Sequence, residues 1–345
     1  MSVPMLKVLQ PGLCSTIQDL GRLKFRSYGV TTSGAMDDFA LRIGNRLIGN
    51  QQDEAGIELT YQGGEYLIMK DCIIAITGAD LHPLLNEQDI PMWESVFVRK
   101  SSRLSFGSAS KGIRGYIAIQ GGVDVPVVLN SKSTDIKVGF GGLEGRKLKP
   151  GDILYQEEEP LDMDVVGSYF SKTVVDDYYS WGFQTKRIRV LLGPDLDHFS
   201  KEGIESFLQS KYTISVKSDR QGYNLEGLKI THSKKGPDIT TNTTTVGAVQ
   251  VPGKGTPIIL LRDCQTVGGY AKIATVITPD IAVLANSVPG QQVSFYQVDL
   301  GQASLLYRNR EKLINSEVAL KKEKKINFYQ VQTEDKRYLV SIWKA

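Results

Sequence analysis

Apolar residues along this chain fall in short runs bounded by Gly, Pro, Asn or Asp, at 72–77, 96–98, 103–106, 115–120, 188–192, 213–216, 258–261 and 293–298. Their lengths and flanks, with frequent β-branched and aromatic residues, predict strands rather than helices. Many short strands separated by turn signals suggest a barrel or sandwich. Helical spacing is rare. A helix is predicted over 35–48, where Met36, Phe39, Ala40, Ile43 and Leu47 share one face. Ser33 is its expected N-cap, Asp37 and Asp38 suit the positive end of its dipole, and Gly49-Asn50 supplies the stop. Shorter helices are expected at 195–209 and 301–315.

The pattern divides the chain in two. Lys149-Pro150-Gly151-Asp152-Ile153-Leu154-Tyr155-Gln156 resembles Val288-Pro289-Gly290-Gln291-Gln292-Val293-Ser294-Phe295-Tyr296-Gln297. Both read as a turn entering a strand near the end of a half. The stretch 156–186 is acidic, then aromatic and polar, and reads as a linker or inter-domain excursion. The expected division is 1–186 and 187–345, two β domains, the second carrying a Lys-rich tail.

A length of 345 residues allows two domains or one large one. The net charge of +3 gives no reason to expect a nucleic-acid partner. From Arg308 onward ten Lys/Arg face five Asp/Glu, so the excess is local, and Lys321-Lys322-Glu323-Lys324-Lys325 reads as a solvated helix face. The first ten residues lack the apolar core of a secretory signal, and no run approaches the roughly 18 apolar residues of a membrane span. Cys14, Cys72 and Cys264 fit neither a disulfide framework nor a zinc pattern. A cytoplasmic chain without a membrane partner is expected.

Four glycine-bearing segments combine polar groups in ways a buried core does not require. In Ser33-Gly34-Ala35-Met36-Asp37, Gly34 permits a sharp turn or close ligand approach before a helix start that can hold an anion; a plain capped helix is the alternative. In Ser218-Asp219-Arg220-Gln221-Gly222-Tyr223, Arg220 offers a planar fork for a carboxylate or phosphate, with Asp219 placed to orient it or to pair with it at the surface. The segment from Gly247 to Pro257 holds Gln250, an amide that donates and accepts, before a rigid Pro252-Gly253 loop that can equally be a hairpin turn. Gln265-Thr266-Val267-Gly268-Gly269-Tyr270-Ala271-Lys272 sets a Gly-Gly pair among hydroxyl, phenol and amine groups, suited to a polar substrate or to a β-bulge. Lys272 is a candidate for stabilising developing negative charge. The sequence has no Gly-x-x-x-x-Gly-Lys-Ser/Thr loop and no Gly-x-Ser-x-Gly elbow, and His82, His198 and His232 lack metal-ligand spacing, so no metal site is expected.

Taken in order, these segments are similar to the allophanate hydrolase subunit 2 family, the biotin-dependent carboxyltransferase subunits that include KipA and the C-type subunits of 5-oxoprolinase. The resemblance runs from about Pro11 to Phe295. It includes Gln18-Asp19-Leu20-Gly21-Arg22, Gly78-Ala79-Asp80-Leu81, Ala118-Ile119-Gln120-Gly121-Gly122-Val123-Asp124-Val125-Pro126 and Leu192-Gly193-Pro194. It implies a mainly β fold of two cyclophilin-like β-barrel domains with a few short helices. It implies two partners, the B-type (KipI-like) and A-type subunits of 5-oxoprolinase. With them the chain would form an ATP-dependent enzyme that opens 5-oxo-L-proline to L-glutamate, with ATP bound at a partner interface. Two alternatives follow from the same family: carboxyl transfer from biotin to urea or a related small amide, and a KipA-like, non-catalytic antagonist of a kinase inhibitor. Under the first reading Arg220 holds the substrate carboxylate, Lys272 stabilises charge on the activated oxygen, and Asp37 and Tyr270 orient groups or exchange protons. Gly34, Asp219, Gln250, Pro252, Gln265, Thr266, Gly268 and Gly269 complete the expected substrate site. Gln221, Val267, Ala271 and Asn286 depart from the family pattern, in which Met, Thr, Pro and Gln are usual at those places, and the tail after Arg310 has no clear counterpart.

Overall fold

Strand 72–80 shows why unbroken apolar runs are strands here. The side chains of Cys72, Ile74 and Ile76 enter one core and those of Ile73 and Ala75 a second, so both faces are buried and polar alternation disappears. Its neighbour Lys111–Ile119 divides in the same way, Ile117 and Ile119 to one side, Tyr116 and Ala118 to the other. The computed structural model describes residues 2–179 and 185–316, together with the backbone of three further strands at 320–322, 327–332 and 337–342.

In the first half, strands Ser15–Gln18, Gly56–Thr60, Lys111–Ile119, Cys72–Asp80 and Ser95–Val98 form a five-stranded sheet in that order. A six-stranded sheet, ordered Ile153–Glu157, Ser2–Gln10, Glu65–Ile68, Arg103–Ser105, Leu84–Leu85 and Gln88–Asp89, packs on it across a shared core that includes Leu6, Val8, Leu104 and Leu154. In the second half seven strands close into a barrel: Thr185–Leu192, Lys272–Val276, Ala248–Gln250, Ile258–Leu260, Gly222–Gly227, Lys211–Ile214 and Gln292–Gln297. The last pairs in parallel with the first, Ile188 opposite Phe295, and closure removes the exposed edges. The fold is therefore mainly β, with one closed barrel and one two-sheet half. The repeated Pro-Gly turns occupy equivalent places. Gly151 and Gly290 have φ of 90° and 87°, and each leads into a strand that pairs with the first strand of its own half.

The α-helices among the described residues are α1 (Asp38–Leu47), α2 (Lys172–Tyr179), α3 (Lys201–Gln209), α4 (Thr278–Ala285) and α5 (Leu300–Asn315). Helix α1 starts later than its periodicity predicts, and its N-cap is Asp37 rather than Ser33, with the Asp37 carboxylate accepting from Ala40 N at 3.0 Å. Ser33 (φ 52°) and Gly34 (φ 88°) both turn left-handed, and a Cβ on Gly34 would lie 2.8 Å from the Leu20 backbone. This kink sends Met36 out of the first half and into the barrel core, where it is fully buried beside Val249, Ile273 and Leu284. Between the predicted helices, 195–209 resolves into a 3-10 turn, Leu196–His198, followed by α3.

The excursion after residue 156 is ordered through α2, which buries Val175 and Tyr179 at the seam between the halves. Residues 180–184, next to the expected division, lie outside the described residues, and the barrel begins at Thr185. The C-terminal segment returns to the first half. In α5, Glu311 takes a two-pronged ion pair from Arg42 of α1 at 2.8 and 2.7 Å, and Arg310 meets Asp38 at 2.7 Å. Lys321 and Lys322 belong to a strand, Leu320–Lys322, paired with Ser168–Phe170. The expected helix face is corrected there: backbone pairing with the strand Ser168–Phe170 takes precedence over the charge pattern. Glu323, Lys324 and Lys325 lie outside the described residues.

Because Met36 fills a space in the barrel from the other half, its truncation opens a cavity at the seam. Met36→Ala should destabilise the protein by about 2–5 kcal/mol, read from the midpoint of urea unfolding. A loss under about 1 kcal/mol would show that the barrel closes over the gap.

Candidate functional site

The sequence-predicted residues separate into two groups. The first lies buried in the seam. Arg220 follows a tight turn in which the Asp219 carboxylate accepts from Gln221 N at 2.7 Å and Gly222 N at 3.3 Å. Asp219 is thus occupied by its own backbone, and the carboxylate that orients Arg220 is Asp263. Arg220 Nε and Nη2 donate to Asp263 at 2.8 and 3.1 Å, Nη1 to Glu58 Oε1 at 2.6 Å, and Nη2 to Gly34 O at 2.7 Å. The other oxygen of Glu58 accepts from Tyr116 OH at 2.7 Å and Met36 N at 2.8 Å. Burial weakens the charge on Arg220, but Asp263 and Glu58 outweigh it and hold the guanidinium protonated well above its ordinary value. Burial likewise opposes ionisation of Glu58, and Arg220 with Arg114 overcomes that and lowers its pKa. The fork expected to receive a substrate carboxylate is here a clamp between halves, closed by two carboxylates of the chain itself.

Asp37 sits next to this clamp, fully buried. Its Oδ2 accepts from Tyr179 OH and from Asn286 Nδ2, both at 2.6 Å, and its backbone N donates to Tyr116 OH at 2.9 Å. Asn286 Oδ1 in turn accepts from Arg114 N at 3.1 Å. One carboxyl thereby ties α1, α2, the end of α4 and the central strand of the first half. Burial pushes Asp37 up to about 7, against the pull of Tyr179 and Ala40 N. For its neighbour Asp38, burial acts the same way, but Arg310 and Arg262 outweigh it and bring the group down to about 2.

The second group lies at one end of the barrel. Strand Val267–Tyr270 pairs outside the barrel with Asp238–Thr243, with an irregular register between Asp238 and Asn242. Gly268 lies against the Gln250 amide, where a Cβ would come within 2.6 Å of Nε2, while Gly269 has no neighbour that close. Gln250 Nε2 donates to Tyr270 O at 3.3 Å, and Gln265 Nε2 to Gln250 Oε1 at 3.4 Å. Tyr270 is exposed, Thr266 and Pro252 are half-buried, and Thr266 O accepts from Thr244 N at 2.9 Å. Lys272 is buried, its ammonium 3.3 Å from Asp195. Gln250, Gln265, Thr266, Gly268, Gly269, Tyr270 and Lys272 therefore share one end of the barrel, whereas Gly34, Asp37 and Arg220 belong to the seam and Asp219 to an exposed turn. The groups meet through Asp263-Cys264-Gln265 and through Arg26, whose Nη2 donates to Thr244 O at 3.0 Å and Gln265 O at 3.3 Å.

Sequence reasoning missed Glu58, Tyr116, Tyr179, Arg26 and Asp195. Glu58 carried a signal, a lone carboxylate inside the apolar run Gly56–Thr60. Tyr116 lies within the apolar run 115–120 and Asp195 directly after Leu192-Gly193-Pro194, so neither stood out by residue type.

Residues 28–297 match the model of the carboxyltransferase domain, subdomain A and B. The chain belongs to this family. It is 37% identical to the C-type 5-oxoprolinase subunit of Escherichia coli over 87% of its own length and 93% of that protein's. Identity to the corresponding 5-oxoprolinase subunit of Haemophilus influenzae is 34%, over 89% and 96%. The urea amidolyase of Saccharomyces cerevisiae is 31% identical over 90% of this chain, which spans only 18% of that protein. Among solved structures, TTHA0988 superposes with a TM-score of 0.76 at 30% identity, covering 85% of this chain and 55% of that one. The K. lactis urea amidolyase superposes with a TM-score of 0.83 at 27% identity, covering 96% of this chain and 22% of its own. The family carries this fold both as a chain of this length and as part of much longer ones. No helix among the described residues is long and apolar enough to cross a membrane.

Two outcomes follow from the seam. Arg220→Ala leaves Glu58 and Asp263 buried without their cation and should cost about 3–5 kcal/mol in urea unfolding; a loss near zero would show the clamp to be dispensable. Asp37 has a folded-state pKa of about 7 against an ordinary 3.8. Between those values the folded protein keeps a proton that the unfolded chain has released, so this group's contribution to stability falls as pH rises. Asp37→Asn should flatten the decline of the urea midpoint across that window relative to wild type, and parallel curves would exclude it.

Proposed function

We propose that this chain is the C-type subunit of a 5-oxoprolinase, which works with A-type and B-type subunits in the ATP-dependent opening of 5-oxo-L-proline to L-glutamate. The observation that carries this reading is the near end-to-end match to two relatives named as C-type 5-oxoprolinase subunits, over 93% and 96% of their lengths. The urea enzymes share the domain within far longer proteins.

The barrel end supplies the chemistry a lactam requires. The Gln250 amide can donate to the ring carbonyl and accept from the ring N–H, because its present contacts, at 3.3 and 3.4 Å, are long and exchangeable. Thr266 offers a hydroxyl and Tyr270 an exposed phenol on the same segment. Gly269 presents backbone without a side chain, with its nearest neighbours at van der Waals distance rather than closer. Lys272 provides a positive charge for the carbonyl oxygen as it gains negative charge. ATP would supply the phosphoryl group that activates that oxygen, and because the sequence lacks a Gly-x-x-x-x-Gly-Lys-Ser/Thr loop we place the nucleotide at an interface with the partner subunits. Arg220 and Asp37, engaged within the seam, act on the site through the rigidity they confer.

Biotin-dependent carboxyl transfer to urea or a related amide is a second reading, favoured by the domain family and by the 31% identity to a urea amidolyase. It requires a biotinylated carrier.

The test is glutamate formation from 5-oxo-L-proline and ATP by a complex of this chain with its A-type and B-type partners, omitting each in turn. Turnover that depends on this chain is expected, and Lys272→Met should lower kcat about a hundredfold or more without altering assembly. An assembled complex without turnover, but with labelled carboxyl transfer from a biotinylated carrier, selects the second reading.

A further inference from the structure

The Leu192-Gly193-Pro194-Asp195 turn is the part of the barrel end that the reading above leaves without a task. It follows the first barrel strand and folds back onto the strand beginning at Lys272. Gly193 N donates to Ile273 O at 2.8 Å. A Cβ at Gly193 would lie 2.1 Å from Lys272 O, so only glycine lets the turn rest on this strand. The approach delivers Asp195 to Lys272 twice. Asp195 Oδ2 accepts the backbone N–H of Lys272 at 2.9 Å and lies 3.3 Å from its Nζ.

The ammonium is held without being saturated. The Lys272 side chain is only 7% exposed, yet among the described residues Nζ makes no hydrogen bond beyond that ion-pair contact. An ammonium has three donors, and a buried one is ordinarily bonded. Arg189, on the first barrel strand, is bonded more fully: it gives its backbone N and Nε to Asp280 at 2.6 and 3.0 Å. At Lys272 the carboxylate fixes the position of the cation and leaves its donors for something else.

We propose that Asp195 is a positioning residue, which holds the Lys272 ammonium in place for an anionic oxygen of a ligand at the barrel end. The ligand class is a small amide or carboxylate whose oxygen carries or gains negative charge. The inference rests on the role given to Lys272 above. Asp195 acts only through Lys272, and the turn exists to bring it there.

Asp195→Asn separates this role from a merely structural one, since the amide oxygen can still accept the Lys272 N–H while the charge is lost. In the assembled complex, kcat should fall about tenfold or more with KM within about twofold and Tm unchanged. Asp195→Ala should lose as much activity and lower Tm as well. A second readout needs no turnover: the rate of Lys272 acetylation by acetic anhydride, followed by mass spectrometry of the same complex, should rise several-fold in Asp195→Asn. Wild-type kcat and wild-type acetylation in Asp195→Asn would overturn the proposal. If the complex proves to have no oxoprolinase turnover, faster acetylation still supports the Asp195–Lys272 pairing and an unchanged rate still overturns it. If Lys272→Met keeps full turnover, the part given to Lys272 falls, whatever Asp195 does to its reactivity.

Discussion

A guanidinium closed between carboxylates from opposite halves of the chain is the constraint on which the rest depends. Arg220 and Asp263 belong to the barrel half, Glu58 to a central strand of the other, and all three are buried. Such a group tolerates no partial arrangement. Removing one member leaves an unpaired charge in a low-dielectric interior, which is strongly unfavourable, whereas the complete set offsets much of its desolvation. The halves can therefore dock in one register, the one in which Glu58 reaches Arg220 and the Gly34 carbonyl takes the remaining donor. The insertion of Met36 into the barrel core and the bonds of Asp37 to α2 and Asn286 follow from that register. Apolar burial supplies the driving force at the seam, and the ionic set supplies the specificity.

This explains which parts of the molecule are legible in the sequence. Strands were legible because turn residues bracket them and their runs are too short for helices, even where both faces are buried, as in Cys72–Asp80. The boundaries of α1 were less so. The predicted helix begins at Ala35, but Met36 is apolar for the sake of the other half, so the pattern overstates the helix by its first three residues. Helix α4 gave no periodic signal because six of its eight residues are buried, and a helix apolar on nearly all sides looks like a strand. Pro279 at its first turn was the available clue.

The candidate site divides along the same line. Residues 250 and 265–272 are close both in sequence and on adjoining strands, so their convergence at one end of the barrel is readable from spacing. Arg220 is different. Its sequence neighbour Asp219 looked like its partner, but adjacency forces Asp219 into the turn that presents Arg220, and the real partner stands far along the chain. Local sequence shows that a buried arginine needs carboxylates, and it does not show which ones. Asp263 reaches the guanidinium within the barrel half, and only the docking of the halves adds Glu58.

The contacts of the central seam residues differ from those at the barrel end, although Arg114 Nε, Arg262 Nε and Arg310 Nη2 in the seam also lack a hydrogen-bond partner among the described residues. In the seam, Arg220, Glu58 and Asp37 are met by short, multiple contacts and have little left to offer a ligand. At the barrel end the contacts of Gln250 are long, Tyr270 is exposed and the Lys272 ammonium is held by charge alone. Polar groups that a fold buries for its own stability are expected to be satisfied within it. On the proposed function, those left partly unsatisfied, on strands anchored by the barrel and by the grip of Arg26 on Thr244 and Gln265, are held ready for a ligand. Arg26 comes from the first half, so the same docking that buries the clamp also fixes the floor of the barrel-end site. The seam's stability and the site's geometry are for that reason not independent properties of this protein.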